Sequence, residues 1–134
     1  MAAGAALADI GRVTDSTLQG ASVLVVEDEP LLRKQVAAAL EQHDADVTAV
    51  GTLDEARRMI QSLPFDFALL DVNLGDEQSV PVAKRLAELG VPFVLSTGYG
   101  ETPELIESYP PCPVVQKPFS NESLRSAFAK AMSR

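Results

Sequence analysis

The chain has 134 residues, the size of one ordinary domain and enough to bury about two thirds of the surface that its unfolded form exposes. Hydrophobic residues make up 46% and charged residues 22% of it, so neither a disordered chain nor a fibrous repeat fits. Nineteen acidic residues against eleven basic ones give a net charge of −8, and no segment gathers Lys and Arg, which argues against nucleic-acid binding.

The first 20 residues are rich in alanine but lack the basic start and apolar centre of a secretory signal. We expect residues 1–20 to be an N-terminal extension, either flexible or a short helix, ahead of a domain over residues 21–134. No apolar run approaches the length of about 18 residues that a membrane span needs, so a cytoplasmic protein is expected. The single cysteine, Cys112, has no metal-ligand spacing and is assigned a packing role.

Apolar runs and helical stripes alternate along the rest of the chain. Short apolar runs of this kind are typical of strands buried on both faces of a parallel sheet. They predict strands over Ser22–Glu27, Asp46–Val50, Phe65–Asp71, Pro92–Ser96 and Pro113–Gln116. Between them, apolar residues recur at helical spacing in four stripes: Leu32, Val36 and Leu40; Leu53, Ala56, Ile60 and Leu63; Val82, Leu86 and Leu89; and Leu124, Phe128 and Ala131.

Local start signals agree with these helices. Thr52 followed three residues later by Glu55 matches a capping box, and Ser120 is placed to cap the last helix. A short additional helix is expected over Pro103–Tyr109, where the prolines that follow stop it. The loop from Gly98 to Pro111 is predicted to be mobile and to respond to a change at the site.

Strands that alternate with helices predict an α/β fold, a doubly wound parallel sheet with helices on both faces. Ligands in such sheets bind beyond the carboxyl ends of the strands. The residues expected at those ends are Glu27, Asp28, Asp71, Ser96, Thr97 and Lys117. The candidate site is therefore sought among them.

Three carboxylates, those of Glu27, Asp28 and Asp71, are expected to converge there. Like charges so close raise one another's pKa unless a cation joins them, which implies a divalent metal. All candidate ligands are oxygen, and the chain has only one His and one Cys, so Mg²⁺ is predicted. The Lys117 ammonium and Thr97 hydroxyl would hold an anionic group beside the metal, as phosphoryl transfer needs, with Asp71 as nucleophile.

Four segments, VLVVEDEP, ALLDVNL, VLSTGYG and VVQKPF, resemble in order and spacing the receiver domain of bacterial two-component response regulators. The resemblance implies a flavodoxin-like five-stranded sheet of order 2-1-3-4-5. It implies that Asp71 is the phosphoacceptor and that Glu27 and Asp28 are the acidic pair of the Mg²⁺ site. Asn73 is implied to give the metal a backbone carbonyl.

The resemblance also implies a phosphorylation switch. Thr97 is then the switch hydroxyl, and Lys117, with a cis peptide bond to Pro118, pairs with the phosphoryl group. Receivers commonly carry an aromatic residue three positions before this lysine, but Val114 stands there. We hypothesise that Tyr99 replaces the missing ring, since PFVLSTGYG is similar to the signature of the FAT GUY subgroup of receivers.

The expected function is that of a response regulator that accepts a phosphoryl group from a histidine kinase and signals by contact with an unidentified downstream protein. A monomer or weak dimer is expected, and no enzyme activity beyond Mg²⁺-dependent phosphorylation and dephosphorylation of itself. The absence of an effector segment after the last predicted helix favours a single-domain regulator. Alternatives are a phosphate sink or phosphorelay carrier and a receiver fragment of a hybrid histidine kinase. A hydrolase of the haloacid dehalogenase type is disfavoured, because Asn73 stands where those enzymes place a second Asp.

Overall fold

Five parallel strands form the central sheet of the computed structural model, which describes residues 18–98 and 103–132. The strands in chain order are β1 (Ser22–Val26), β2 (Asp46–Val50), β3 (Phe67–Asp71), β4 (Asn73–Leu74), β5 (Glu77–Gln78), β6 (Phe93–Thr97) and β7 (Val114–Gln116). The helices are α1 (Pro30–Glu41), α2 (Leu53–Ser62), α3 (Val80–Glu88), α4 (Pro103–Glu107) and α5 (Asn121–Met132).

The sheet has the strand order β2-β1-β3-β6-β7. The two remaining strands, β4 and β5, form a separate antiparallel hairpin, so the order is the predicted 2-1-3-4-5 once the hairpin is left out. The fold prediction is confirmed, and each predicted strand lies within two residues of its observed bounds. The hairpin was not predicted, because its four paired residues are too few to show a strand pattern.

Alternate side chains of the strands pack on opposite faces of the sheet. Leu70 belongs to the apolar cluster shared with α2 and α3, and Leu69 to the one shared with α1 and α5. On the second face, the rings of Phe67 and Phe128 meet edge to face, with centroids 5.7 Å apart. Because helices cover both faces, the strand ends remain the place where polar side chains can gather.

The predicted helix caps at Thr52 and Ser120 are confirmed. The Glu55 backbone N–H donates to the Thr52 hydroxyl at 3.1 Å, and the Ser123 N–H donates to the Ser120 hydroxyl at 3.0 Å. Ser79 occupies the same position before α3, yet its side chain makes no capping hydrogen bond. Its hydroxyl is used elsewhere, as described below.

The packed part of the chain begins no later than Leu18. This side chain is 1% exposed within the cluster between α1 and α5, and the Gly20 N–H donates to the Asp44 carbonyl at 2.8 Å. The last residues of the predicted extension thus pack against the domain, while residues 1–17 lie outside the described residues. Over residues 18–98 and 103–132, no helix combines the length and apolar character of a membrane span.

Candidate functional site

An acidic pocket lies at the carboxyl ends of β1 and β3. Glu27 and Asp28 follow β1, and Asp71 ends β3. The parallel pairing of these strands brings their ends together, so that one carboxylate oxygen of each residue lies within 4.8 Å of the other two. Glu27 and Asp71 are each only 4% exposed, whereas Asp28 is exposed. The three carboxylates predicted to converge do so.

Lys117 supplies a positive charge to this pocket. Its Nζ donates to Glu27 Oε1 at 2.8 Å and to Asp71 Oδ2 at 2.9 Å. Lys117 follows β7, where its backbone N–H donates to the Thr97 carbonyl at 2.7 Å, and its peptide bond to Pro118 is cis, as predicted. One ammonium is thus shared between two buried carboxylates.

The balance of charge in the pocket favours a further cation. Burial raises the pKa of Asp71 to about 7, and a hydrogen bond with the Glu27 carboxyl adds to the rise, while Lys117 opposes it. Burial acts to lower the pKa of Lys117, but its hydrogen bonds to Glu27 and Asp71 outweigh that effect and raise this pKa above its usual value. Asp71 therefore tends to hold a proton unless a metal ion takes the proton's place.

The groups around the pocket suit a hard cation. The Asp28 carboxylate accepts a hydrogen bond from the Gly75 N–H at 2.9 Å, in the hairpin turn where Gly75 has a φ of +66° that favours glycine. The Asn73 N–H donates to Asp71 Oδ1 over a long 3.4 Å, which places Asn73 beside the carboxylates. The carboxylates present only oxygen, the donor that Mg²⁺ prefers, and the residues present fit that ion.

Of the residues discussed for the switch, the structure describes Thr97 and Val114 but not Tyr99. Thr97 is buried at the end of β6, and its hydroxyl donates to the Val115 carbonyl over a long 3.4 Å. Val114 is 44% exposed. Tyr99 lies outside the described residues, as do residues 100–102, so its switch role and the mobility of that part of the loop stay predictions.

Ser96 lies at a strand end, and the sequence predicts no role for it. It lies opposite Asp71 in the register of β3 and β6, and its buried hydroxyl has no hydrogen-bond partner among the described residues. The sequence signal was a hydroxyl within an apolar strand. Such a group is costly to bury without a partner.

Replacing Ser96 with Ala is expected to stabilise the metal-free protein by about 1 kcal/mol, because it removes a buried hydroxyl that gains no hydrogen bond. Urea unfolding of the two proteins measures the change. Ser123→Ala is the control: the Ser123 hydroxyl donates to the Ser120 carbonyl at 3.0 Å, so its loss is expected to be neutral or destabilising. A loss of stability in Ser96→Ala would show that the hydroxyl is satisfied in solution.

Two further buried residues with hydroxyl groups, Ser79 and Tyr109, lie behind Asp71, and the sequence did not predict their role. The Ser79 hydroxyl donates to the Asp71 backbone carbonyl at 2.6 Å and lies 2.9 Å from the Tyr109 hydroxyl. The Tyr109 hydroxyl is also 3.2 Å from the Val72 carbonyl. Burial raises the pKa of Tyr109, which keeps the phenol protonated at neutral pH. The only sequence signal was a serine at a helix start, which indicates a cap.

Comparison with known proteins places this arrangement in a family. The sequence matches the response regulator receiver domain over residues 23–129. The chain belongs to this family. The receiver is 31% identical over 114 residues to the sensory transduction protein LytT of Enterococcus faecalis, a match that covers 81% of this chain and 47% of LytT. The predicted family is confirmed, and its FAT GUY subgroup stays a prediction.

Solved structures agree. The solution structure of SdrG from Sphingomonas melonis Fr1 is 35% identical, with a TM-score of 0.72 over 84% of this receiver and 96% of SdrG. The receiver is also 35% identical over 72 residues to the sensor protein TorS of Escherichia coli, covering 53% of this chain and 8% of TorS. The chain spans less than half of the length of the curated relatives it matches.

Proposed function

We propose that this receiver accepts a phosphoryl group from the phosphohistidine of a histidine kinase onto Asp71 and then signals through protein contact. The observation that carries the proposal is the position of Asp71. Its carboxylate is almost fully buried, hydrogen bonded to Lys117, and close to Glu27 and Asp28. A nucleophile, a cation and a pair of metal-binding carboxylates are what transfer of a phosphoryl group to a carboxylate requires.

In the proposed reaction, a carboxylate oxygen of Asp71 attacks the phosphorus, and the bond from phosphorus to the donor imidazole breaks with its electron pair on nitrogen. Mg²⁺, when held by Glu27, Asp28, Asp71 and the Asn73 carbonyl, supplies positive charge that offsets the charge of the transferring group. Lys117 holds Asp71 Oδ2 in place at 2.9 Å.

The acyl phosphate adds negative charge and acceptor oxygens beside Lys117 and Thr97. The Thr97 hydroxyl can leave its long bond to Val115 at small cost and donate to a phosphoryl oxygen. We propose that this movement, together with Tyr99, is the switch. Val114 has no ring, so in this proposal Tyr99 takes the place of the aromatic residue that usually accompanies the switch threonine.

An apolar groove beside the pocket supports docking of a protein donor. It has a volume of about 470 Å³, and its lining includes Leu31, Leu32, Pro118 and Phe119 together with Lys117 of the acidic pocket. Leu31 is 64% exposed, the highest value among the large apolar side chains of the described residues. A helix of a histidine kinase packed in this groove would present its phosphohistidine to Asp71.

The test of the proposed function is intact mass after incubation with Mg²⁺ and a small acyl-phosphate donor. Wild type is expected to gain one phosphoryl group and Asp71→Asn none, because the amide is not a nucleophile. Asp54→Asn is the matched control, since Asp54 is exposed on α2, where its carboxylate pairs with Arg58. Equal labelling of Asp71→Asn and wild type would contradict Asp71 as the acceptor.

The partial match to TorS favours a second candidate function, a receiver that works within a longer sensor kinase. In that arrangement the phosphoryl group passes onward instead of persisting. A phosphoryl group transferred from Asp71 to a histidine-containing partner would favour this function or a phosphorelay carrier, whereas a partner that binds only the phosphorylated receiver would favour the first. The cytoplasmic location and the monomer or weak dimer stay predictions.

A further inference from the structure

Ser79 precedes α3, but its hydroxyl does not cap that helix. A serine at the start of a helix usually accepts a hydrogen bond from a backbone N–H of the first turn, as Ser120 does and as Thr52 does through its own hydroxyl. Ser79 is completely buried and makes no such bond. Its hydroxyl instead donates to the backbone carbonyl of Asp71 at 2.6 Å. The first turn of α3 therefore has no side-chain cap from Ser79, whose hydroxyl contacts the end of β3.

The direction of the hydrogen bonds follows from counting protons. Ser79 has one hydroxyl proton, which is used on the Asp71 carbonyl. The 2.9 Å contact between the hydroxyls of Ser79 and Tyr109 must then use the Tyr109 proton, which also lies within reach of the Val72 carbonyl at 3.2 Å. The chain therefore runs from Tyr109 through Ser79 to Asp71, and each bond polarises the next.

The two residues together fix the backbone that leads out of β3. The Val72 carbonyl accepts from the Ser79 N–H at 3.1 Å and lies 3.2 Å from the Tyr109 hydroxyl, and the Asp71 carbonyl accepts from the Ser79 hydroxyl. The backbone carbonyls of Asp71 and Val72 are thus both held by hydrogen bonds from Ser79. This is the segment that carries Asp71 and Asn73, the proposed acceptor and the proposed backbone ligand of the metal.

We infer that Tyr109 and Ser79 are positioning residues that hold the Asp71–Asn73 segment in the geometry that binds Mg²⁺. The inference rests on the proposed function for the purpose of the metal, but it concerns the unphosphorylated protein. Tyr109 lies five residues before Val114 and two residues beyond the end of α4 at Glu107. A buried aromatic side chain therefore reaches the Val72 backbone and, through Ser79, the Asp71 backbone, from a position other than the one where the family commonly places its ring.

The test is the dissociation constant of Mg²⁺, measured by calorimetry on unphosphorylated full-length protein. Tyr109→Phe keeps the ring and removes only the hydroxyl, and Ser79→Ala removes the link to Asp71. Each is expected to weaken Mg²⁺ binding about fivefold to tenfold, the equivalent of one buried hydrogen bond. The double variant is expected to lose less than the product of the two factors, because both changes break one chain.

Ser108→Ala is the matched control, since the hydroxyl of this neighbouring residue donates to the Leu105 carbonyl within α4. Its Mg²⁺ affinity should equal that of wild type. A merely structural role would lower the melting temperature of Tyr109→Phe and leave the dissociation constant unchanged below that temperature, and this result would overturn the inference. Mg²⁺ binding that is absent from wild type would overturn it as well.

Phosphorylation of wild type and Mg²⁺ binding by the variants test the proposed function and the positioning role separately. Wild type that binds Mg²⁺ but takes no phosphoryl group on Asp71 would contradict the proposed function, and the comparison of Mg²⁺ affinities would still decide the role of Tyr109. Wild type that is phosphorylated while Tyr109→Phe binds Mg²⁺ normally would overturn the positioning role alone.

Discussion

Lys117→Met is expected to destabilise the metal-free protein by about 3 kcal/mol at pH 8. The Lys117 ammonium lies 2.8 Å from Glu27 Oε1 and 2.9 Å from Asp71 Oδ2, and both carboxylate side chains are only 5% exposed. Methionine preserves much of the apolar stem and removes the charge. The substitution therefore leaves two buried carboxylates without a counter-charge, a more costly state than a buried pair with its partners in place.

The loss is expected to depend on pH in a defined direction. Lys117 has a raised pKa, so its ammonium is charged in both the folded and the unfolded chain at any pH below its ordinary value of 10.5, and a difference between pH 4 and pH 8 must come from the carboxyls that it faces. Without it, the carboxyl pKa of Asp71 rises further in the folded state. A carboxyl whose folded pKa exceeds its unfolded one favours unfolding as the pH rises, so the loss should be large at pH 8 and small near pH 4.

Urea unfolding of wild type and Lys117→Met in a chelating buffer at these two pH values measures this effect. Lys84→Met, at an exposed position of α3, is the control and should change stability by less than about 0.5 kcal/mol. Mg²⁺ should recover part of the stability of Lys117→Met, because a cation returns to the pocket. An equal loss at both pH values would mean that lost packing, and not charge, is the cause.

The acidic pocket could be predicted because it follows from a topological rule. Once the apolar runs ending near Glu27 and Asp71 are assigned to parallel strands, their carboxyl ends must lie on one edge. The same rule brings Lys117 there from the last strand. No side-chain detail is needed for this step, and the observed distances of 2.8 and 2.9 Å from its ammonium agree with it.

The hydrogen bonds that hold the backbone around the pocket could not be predicted. They join residues far apart in sequence, and the local sequence around each residue suggests a simpler role. Ser79 precedes a helix and suggests a cap, and Tyr109 follows a short helix, yet their hydroxyls meet across 30 positions of sequence. The contact between Gly75 and Asp28 spans 47 positions and depends on the unpredicted hairpin. Helix caps such as Thr52 were predicted because both partners lie within one turn.

Asp71→Asn is expected to stabilise the metal-free protein by about 1 to 3 kcal/mol at pH 8. Burial raises the pKa of Asp71 from 3.8 to about 7, so at pH 8 the folded protein must hold an ionised carboxylate that is more favourable in the unfolded chain. Asparagine has nearly the same shape and no charge. Lys117 keeps its hydrogen bond to Glu27 at 2.8 Å, so the substitution leaves no ammonium unpaired.

The sign of this effect follows from the two protonation states. Below about pH 4, Asp71 holds its proton in both the folded and the unfolded chain, and the variant should gain nothing. Between about pH 4 and pH 7 the unfolded chain ionises first, so the relative stability of wild type falls, and above about pH 7 the difference is constant. Urea unfolding at pH 4 and pH 8 with a chelator measures this, with exposed Asp54→Asn as a control that should change little.

Mg²⁺ is expected to reverse the order of stability at pH 8. A ligand that binds only the folded protein stabilises it in proportion to the logarithm of its concentration over the dissociation constant. Wild type should gain stability as the Mg²⁺ concentration rises, while Asp71→Asn, which keeps only two of the three carboxylates of the pocket, should gain much less. The protein would then carry a buried carboxylate that weakens the fold until a cation joins it. Parallel gains in both proteins would mean that Mg²⁺ binds elsewhere, and that Asp71 is not one of its ligands.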